Sequence, residues 1–212
     1  MYIGIDEAGR GPVIGPLVVA GVETEDPEKL KLLGVKDSKQ LSMAEREKLY
    51  DQILKIAKAE VICISAQEID KLRKIKSLNV IELDAFIEII QRLSGDKVII
   101  DLPESGNRFE AQIKSRVGRE IELTAEHKAD ENFPIVSAAS IIAKVTRDRE
   151  VRRIEEELGT RIGSGYPSDP DTKKYLKGIA EGGKGFGVYV RHSWQTVKDF
   201  VKKKEQKNLF GF

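Results

Sequence analysis

Two short β-branched runs, Tyr2-Ile3-Gly4-Ile5 and Lys97-Val98-Ile99-Ile100, each end on a carboxylate, Asp6 and Asp101. Runs of this length and composition read as strands buried on both faces, the kind that helices cover in an α/β sheet. An acid directly after such a run stands at a strand end, where α/β sheets keep their sites. It is also unusual there without a partner, which separates Asp6 and Asp101 from the many solvated acids of a chain with 35 Asp and Glu.

The remaining pattern predicts a mixed sheet with helices on its faces. Strands are expected at about 2–7, 17–22, 60–66, 97–101 and 120–124, the first two paired as a hairpin through Gly9-Arg10-Gly11. Ser42 and Glu45 form a capping box that opens a helix running to about Ala59. Further helices are expected at 67–73, 77–93, 107–116, 168–180 and 193–205, with the longest running from Pro134 to about Leu158. No linker-like stretch or repeat divides the chain, so the pattern predicts one compact unit over 1–205 and a short tail, 206–212. Cys63 lies in Val61-Ile62-Cys63-Ile64 and reads as a packed core thiol. Lys and Arg number 36, so nucleic-acid affinity has to come from local arrangement and not from net charge. No apolar stretch reaches membrane-spanning length and no signal-peptide layout opens the chain, so a cytoplasmic protein is expected. Nothing demands more than a monomer.

Asp6, Glu7, Asp101 and Asp130 are the candidate metal ligands. Carboxylate oxygens suit magnesium or manganese, and two such ions about 4 Å apart stabilise both the attacking and leaving oxygens of a phosphodiester displacement. Metal-assisted chemistry needs no histidine base, and this chain has only His127 and His192. Asp6 and Glu7 point to opposite faces of an ideal strand. For both to serve one site the chain has to leave strand geometry at Ala8-Gly9, which Gly9 and Gly11 permit. Arg10, Lys36 and Lys39 are candidates for backbone phosphates. Lys144, Arg147, Arg149, Arg152 and Arg153 form a basic run, much of which local helix ion pairing accounts for. Ser140 reads as a small packing residue, because no base is spaced to activate it. Gly178 to Lys184 imitates a phosphate loop but has Gly185 where Ser or Thr is needed, and Trp194 reads as a core anchor.

Several segments together resemble ribonuclease HII, particularly its archaeal members. They are Gly4-Ile5-Asp6-Glu7-Ala8-Gly9-Arg10-Gly11-Pro12, Lys36-Asp37-Ser38-Lys39, Ala129-Asp130, Pro134 to Val145, Gly163 to Asp169, and Arg191-His192-Ser193-Trp194. They occur in family order and spacing from residue 2 to about 196. The resemblance implies the ribonuclease H fold, a five-stranded mixed sheet flanked by helices with a helical C-terminal portion from about 160 to 205. It implies divalent-metal-dependent cleavage of RNA strands paired to DNA and of single ribonucleotides embedded in duplex DNA. It assigns Asp6, Glu7, Asp101 and Asp130 to the metal site, Gly9, Arg10 and Gly11 to the ribose 2′-hydroxyl, and Tyr166 to the neighbouring sugar. It alone selects Asp130 over Glu126 and Glu131.

Gln206-Lys207-Asn208-Leu209-Phe210-Gly211-Phe212 resembles a sliding-clamp docking peptide, with Gln206, Leu209 and Phe212 as anchors. Two other functions remain open at this point. One is a non-catalytic, clamp-tethered binder of RNA/DNA hybrids; the other is a DNA nuclease of the same fold.

Overall fold

The computed structural model describes residues 1–35, 41–102, 107–182 and 185–209, with side chains at all of these except 107–108 and 203–209. Contacts divide them into two compact units, 1–8 with 18–63 and 79–146, and 9–17 with 64–78 and 147–212.

The first unit carries a five-stranded sheet ordered β3-β2-β1-β4-β5. Its strands are β1 (Tyr2–Ala8), β2 (Leu17–Thr24), β3 (Lys58–Ile64), β4 (Lys97–Asp101) and β5 (Glu122–Glu126). β1 runs antiparallel to β2 and parallel to β4, and β4 is parallel to β5, so the sheet is mixed as expected. The helices are α1 (Pro27–Leu32), α2 (Met43–Ile56), α4 (Leu78–Arg92), α5 (Asn107–Arg116), α6 (Ala129–Asn132) and the first part of α7 (Pro134–Leu158). α2 opens on the Ser42–Glu45 capping box. It stops at Ile56, three residues before the expected end, because Ala57 turns extended and the chain enters β3 at once. β5 begins two residues later than expected, and neither α1 nor α6 was legible, since helices of six and four residues are too short for an apolar period to show.

Strand alternation sorts the core. Ala8, Val18, Ala20 and Val22 pack with Leu49 and Ile53 of α2 and with Ile135 to Val145 of α7. Gly4 lets α7 come close: a Cβ there would lie 2.5 Å from the Ile135 carbonyl carbon and oxygen. On the other face Gly21 accommodates Ile89 of α4, whose Cγ2 would meet an added Cβ at 2.3 Å. Each fully buried aliphatic side chain here stabilises the fold by about 1.5–3 kcal/mol. Glu23 is also buried, yet it accepts hydrogen bonds from Ser94 N at 2.7 Å, Ser94 Oγ at 2.8 Å and Gly95 N at 2.5 Å, so it serves to fix the α4–β4 loop. Cys63 corrects the sequence reading: it is exposed, because β3 is the edge of the sheet and its surface is only half covered.

The second unit gathers Val13, Ile14, Val151, Ile154, Ile162, Leu176, Val190 and Val197 into its own core. It contains α3 (Ala66–Leu72), the rest of α7, α8 (Pro170–Glu181) and α9 (Gln195–Leu209). Asp169 caps α8 through Asp171 N at 2.8 Å and Thr172 N at 3.2 Å, while its other oxygen takes Ser164 N and Oγ at 3.0 and 2.6 Å. These bonds hold its carboxyl down to about 2. Gly178 lies inside α8, which agrees with rejecting a phosphate loop there. Among the described residues no helix is long and apolar enough to cross a membrane.

Candidate active site

β1 and β4 are in parallel register, Ile5 opposite Ile100, so the next residue on each strand is an acid. One carboxylate oxygen each from Asp6, Asp101 and Asp130 lies within 4.8 Å of the others. Asp6 and Asp130 are buried and Asp101 is half-buried. Asp101 Oδ1 accepts Lys128 N at 2.8 Å and Ala129 N at 3.3 Å. Lys128 delivers those amides by adopting a left-handed backbone, φ 61°, the one non-glycine residue to do so among the described residues. Holding it there costs about 1 kcal/mol or more, and the turn sets Asp130 on the first turn of α6. Ser137 Oγ donates to the Asp130 carbonyl and ties α6 to α7.

Asp6 faces α7. Its Oδ1 accepts the Glu7 amide at 2.7 Å, Ser140 hydrogen-bonds its carboxyl, and Lys144 Nζ donates to Ser140 Oγ at 2.6 Å. Burial pushes Asp6 up to about 6; the Ser140 bond and the Lys144 charge pull it back, and Asp101 adds repulsion. Glu7 remains in strand geometry, since β1 continues to Ala8, and on the opposite face it meets the buried Glu82 of α4. Its carboxyl nevertheless reaches the edge of the Asp6 group and bonds to it, while its Oε2 is buried with no hydrogen-bond partner among the described residues. Burial, then Asp6, Glu82 and Asp101, hold Glu7 well above the ordinary carboxylate range. Unlike Glu23, these acids are crowded with one another.

That crowding is the test of fit for a metal. The donor set is all oxygen, which hard divalent cations prefer, and a cation would offset the burial and the mutual repulsion that disfavour ionisation of Asp6 and Glu7. Asp6, Asp101 and Asp130 could hold it directly, with Glu7 at the margin.

In the second unit, the turn Gly9-Arg10-Gly11 meets the loop that carries Tyr166 at Gly11. Gly9 has φ +91°, and a Cβ on it would sit 2.5 Å from the Pro16 carbonyl oxygen and 2.6 Å from Arg147 Cδ and Nε. A Cβ on Gly11 would be 3.2 Å from Tyr166 Cε1, so the turn and the ring adjoin. Val13 N and Ile14 N both donate to the Gly165 carbonyl, at 2.8 and 3.2 Å. Tyr166 is 41% exposed, and the Arg147 guanidinium carbon stands 5.5 Å from its ring centroid. Arg147 is buried and donates to the Ser164 carbonyl at 2.8 Å, so it is a support for this loop and not part of a solvated ion-paired face. Trp194 is half-buried against the second core, as read from sequence.

Lys36, Lys39 and Phe212 lie outside the described residues, as do the side chains of Gln206 and Leu209, whose backbone continues α9. Sequence reasoning missed Ser140 and Lys144 as partners of Asp6; their i, i+4 spacing beside small residues was the available signal. It also missed the part played by Arg191, whose contacts with the chain around residue 10 leave no local trace.

The ribonuclease HII family model matches residues 3–197. The chain is 46% identical to the ribonuclease HII of Methanococcus maripaludis strain C6 over 218 aligned positions, covering 99% of this chain and 91% of that protein. It is similar to the solved ribonuclease H2 of Pyrococcus horikoshii, with TM-score 0.89 and 40% identity over 97% of this chain and 99% of that one. It is likewise similar to a chain in the solved PCNA:RNase HII complex from Archaeoglobus fulgidus, with TM-score 0.88 and 45% identity over 94% and 96%. Agreement of the family model, of sequence over nearly the full length and of the fold leaves one conclusion: the chain belongs to the ribonuclease HII family and is an endoribonuclease, a hydrolase of that kind.

Proposed function

We propose that this enzyme cuts the RNA strand of RNA/DNA hybrids and the 5′ side of a single ribonucleotide embedded in duplex DNA. The observation that carries the reading is the convergence of Asp6, Asp101 and Asp130 in a chain of this family. Water attacks the phosphorus, the bond to the upstream 3′ oxygen breaks, and the products are a 3′-hydroxyl and a 5′-phosphate. Asp6, Glu7, Asp101 and Asp130 are the residues that would hold magnesium or manganese. When bound, a divalent ion supplies charge stabilisation at the phosphate oxygens and makes the attacking water more acidic. Ser140 and Lys144 keep Asp6 ionised enough to serve, and the Lys128 and Ala129 amides fix the direction of Asp101.

Gly9, Arg10 and Gly11 read the ribose 2′-hydroxyl, and Tyr166 packs on the adjoining sugar. Telling ribose from deoxyribose requires donors or acceptors brought close to one oxygen, and glycine backbone allows that approach. A deoxyribose against the ring fits where a second hydroxyl would crowd it, so the pair selects an RNA-to-DNA junction. Arg10, Lys36 and Lys39 hold phosphates of the duplex. Residues 1–205 act as the catalytic domain, and Gln206, Leu209 and Phe212 anchor the chain on a sliding clamp. The last point is supported by the Archaeoglobus fulgidus relative, solved with PCNA. Deleting 206–212 should abolish clamp binding and spare cleavage of short duplexes; unchanged clamp affinity would refute the anchor.

An end-labelled duplex with one ribonucleotide, with magnesium or chelator, beside an all-DNA duplex, tests the main reading. Metal-dependent cutting only 5′ of the ribonucleotide is expected. No cutting with either magnesium or manganese would overturn it.

A further inference from the structure

The three carbonyls of Gly9-Arg10-Gly11 are all taken by two side chains from the same later segment. Arg191 Nη2 donates to the Gly9 carbonyl at 2.6 Å and Nη1 to the Arg10 carbonyl at 3.2 Å. Its Nε donates to the Gly15 carbonyl at 3.0 Å, and Trp194 Nε1 donates to the Gly11 carbonyl at 3.2 Å. Arg191 is fully buried, and its guanidinium carbon lies 4.8 Å from the centroid of the Trp194 ring. A buried guanidinium is expensive to desolvate, and an apolar residue would fill the same space at less cost. What only arginine provides is a planar fork that engages several acceptors at fixed angles.

Peptide geometry then decides where the donors of the turn point. None of the described peptides is cis. In a trans peptide the carbonyl and the N–H point in opposite directions. The Gly9 carbonyl shares its peptide with Arg10 N–H, and the Arg10 carbonyl shares its peptide with Gly11 N–H. With both carbonyls fastened to Arg191, those two N–H groups face away from the guanidinium. The third carbonyl, that of Gly11, precedes Pro12, which has no N–H, so fastening it to Trp194 removes an acceptor from the exposed side without presenting a donor. Gly11 itself is exposed and adjoins Tyr166.

We propose that Arg191 and Trp194 are positioning residues for ribose specificity, a carbonyl clamp that turns the amides of Arg10 and Gly11 outward as a paired donor for one hydroxyl oxygen. The clamp rests on the ribose-sensing reading given above and names the device that sets its polarity. A lysine at 191 keeps the charge but cannot engage three carbonyls in a plane. A phenylalanine at 194 keeps an aromatic ring there and loses the Nε1 donor together with part of the indole's packing.

The test is binding without cleavage, with calcium in place of magnesium. It compares a duplex containing one ribonucleotide with the same duplex in all-DNA form, each followed by fluorescence anisotropy. The parent should bind the ribonucleotide duplex more tightly. Arg191→Lys should reduce that preference about tenfold, or to none if it is smaller, with all-DNA affinity held within about twofold; one lost charge-assisted bond is worth that much. Trp194→Phe should reduce it by less. A structural loss would weaken both duplexes alike, so the ratio separates positioning from stability, and Trp194→Phe carries the test if Arg191→Lys fails to fold. A parent with no preference would overturn the ribose-sensing reading and the clamp with it. A preference kept by every folded variant would overturn the clamp alone.

Discussion

Lys144 Nζ lies 2.6 Å from Ser140 Oγ, one turn away on the buried face of α7, and this places a hydroxyl and a cation over Asp6. Both favour the ionised carboxylate. Ser140→Ala removes a hydrogen bond to a charged group, worth about 1.5–3 kcal/mol, so Asp6 should titrate roughly one unit or more above its present value. The acid limb of kcat/KM against pH should move up by a similar amount, with activity recovering at higher pH. An unmoved limb would show that Ser140 only packs.

The same burial links pH to stability. Asp6 has its folded value raised to about 6 from an ordinary 3.8, and Glu7 is raised as well. A raised carboxyl favours the folded state while both states are protonated below the unfolded value, and that contribution is lost as pH climbs through the folded value. For Asp6 the loss is on the order of 3 kcal/mol. In chelator, the Tm of the parent measured against Asp6→Asn should therefore fall between about pH 4 and pH 7. Manganese should raise the parent Tm more at about pH 8 than at pH 5, because binding requires deprotonated ligands. Parallel profiles for parent and variant would contradict this.

Gly9 stands at φ +91° with Pro16 O and Arg147 where a Cβ would go. Gly9→Ala should cost about 1–3 kcal/mol from backbone strain and displace the turn. Cleavage at a single ribonucleotide should fall at least tenfold even at temperatures where the variant is folded. Parental rates in a folded Gly9→Ala would remove the turn from substrate recognition.

Tyr166 offers its ring beside Gly11 and is supported by Arg147. Tyr166→Ala should slow cleavage of a single embedded ribonucleotide more than cleavage of a continuous hybrid, while Tyr166→Phe keeps the ring and most of the rate. Equal rates for parent and Tyr166→Ala would discard the junction-reading role.

Asp101 was legible in the sequence and ends β4 as its short buried run announces, while β1 continues past Asp6 to Ala8, because β2 goes on pairing with it after its pairing with β4 has stopped at Ile100. Alternation set Asp6 and Glu7 toward opposite faces, and the Glu7 carboxyl still bonds to that of Asp6. Asp130 was not legible in that way: it depends on four residues of helix and on the left-handed Lys128, neither of which has a composition signature. Cys63 was misplaced because an apolar run does not say whether its strand is central or an edge. Arg191 bonds to residues more than 170 positions away, a contact that only the folded chain contains.

Manganese binding tests the central claim most directly, measured by electron paramagnetic resonance on the parent and on Asp6→Asn, Asp101→Asn and Asp130→Asn at one pH, beside their cleavage rates. Each substitution should weaken manganese binding by tenfold or more and lower cleavage with it. Parental manganese affinity in all three variants, or full cleavage by Asp101→Asn, would contradict a metal site built from these carboxylates.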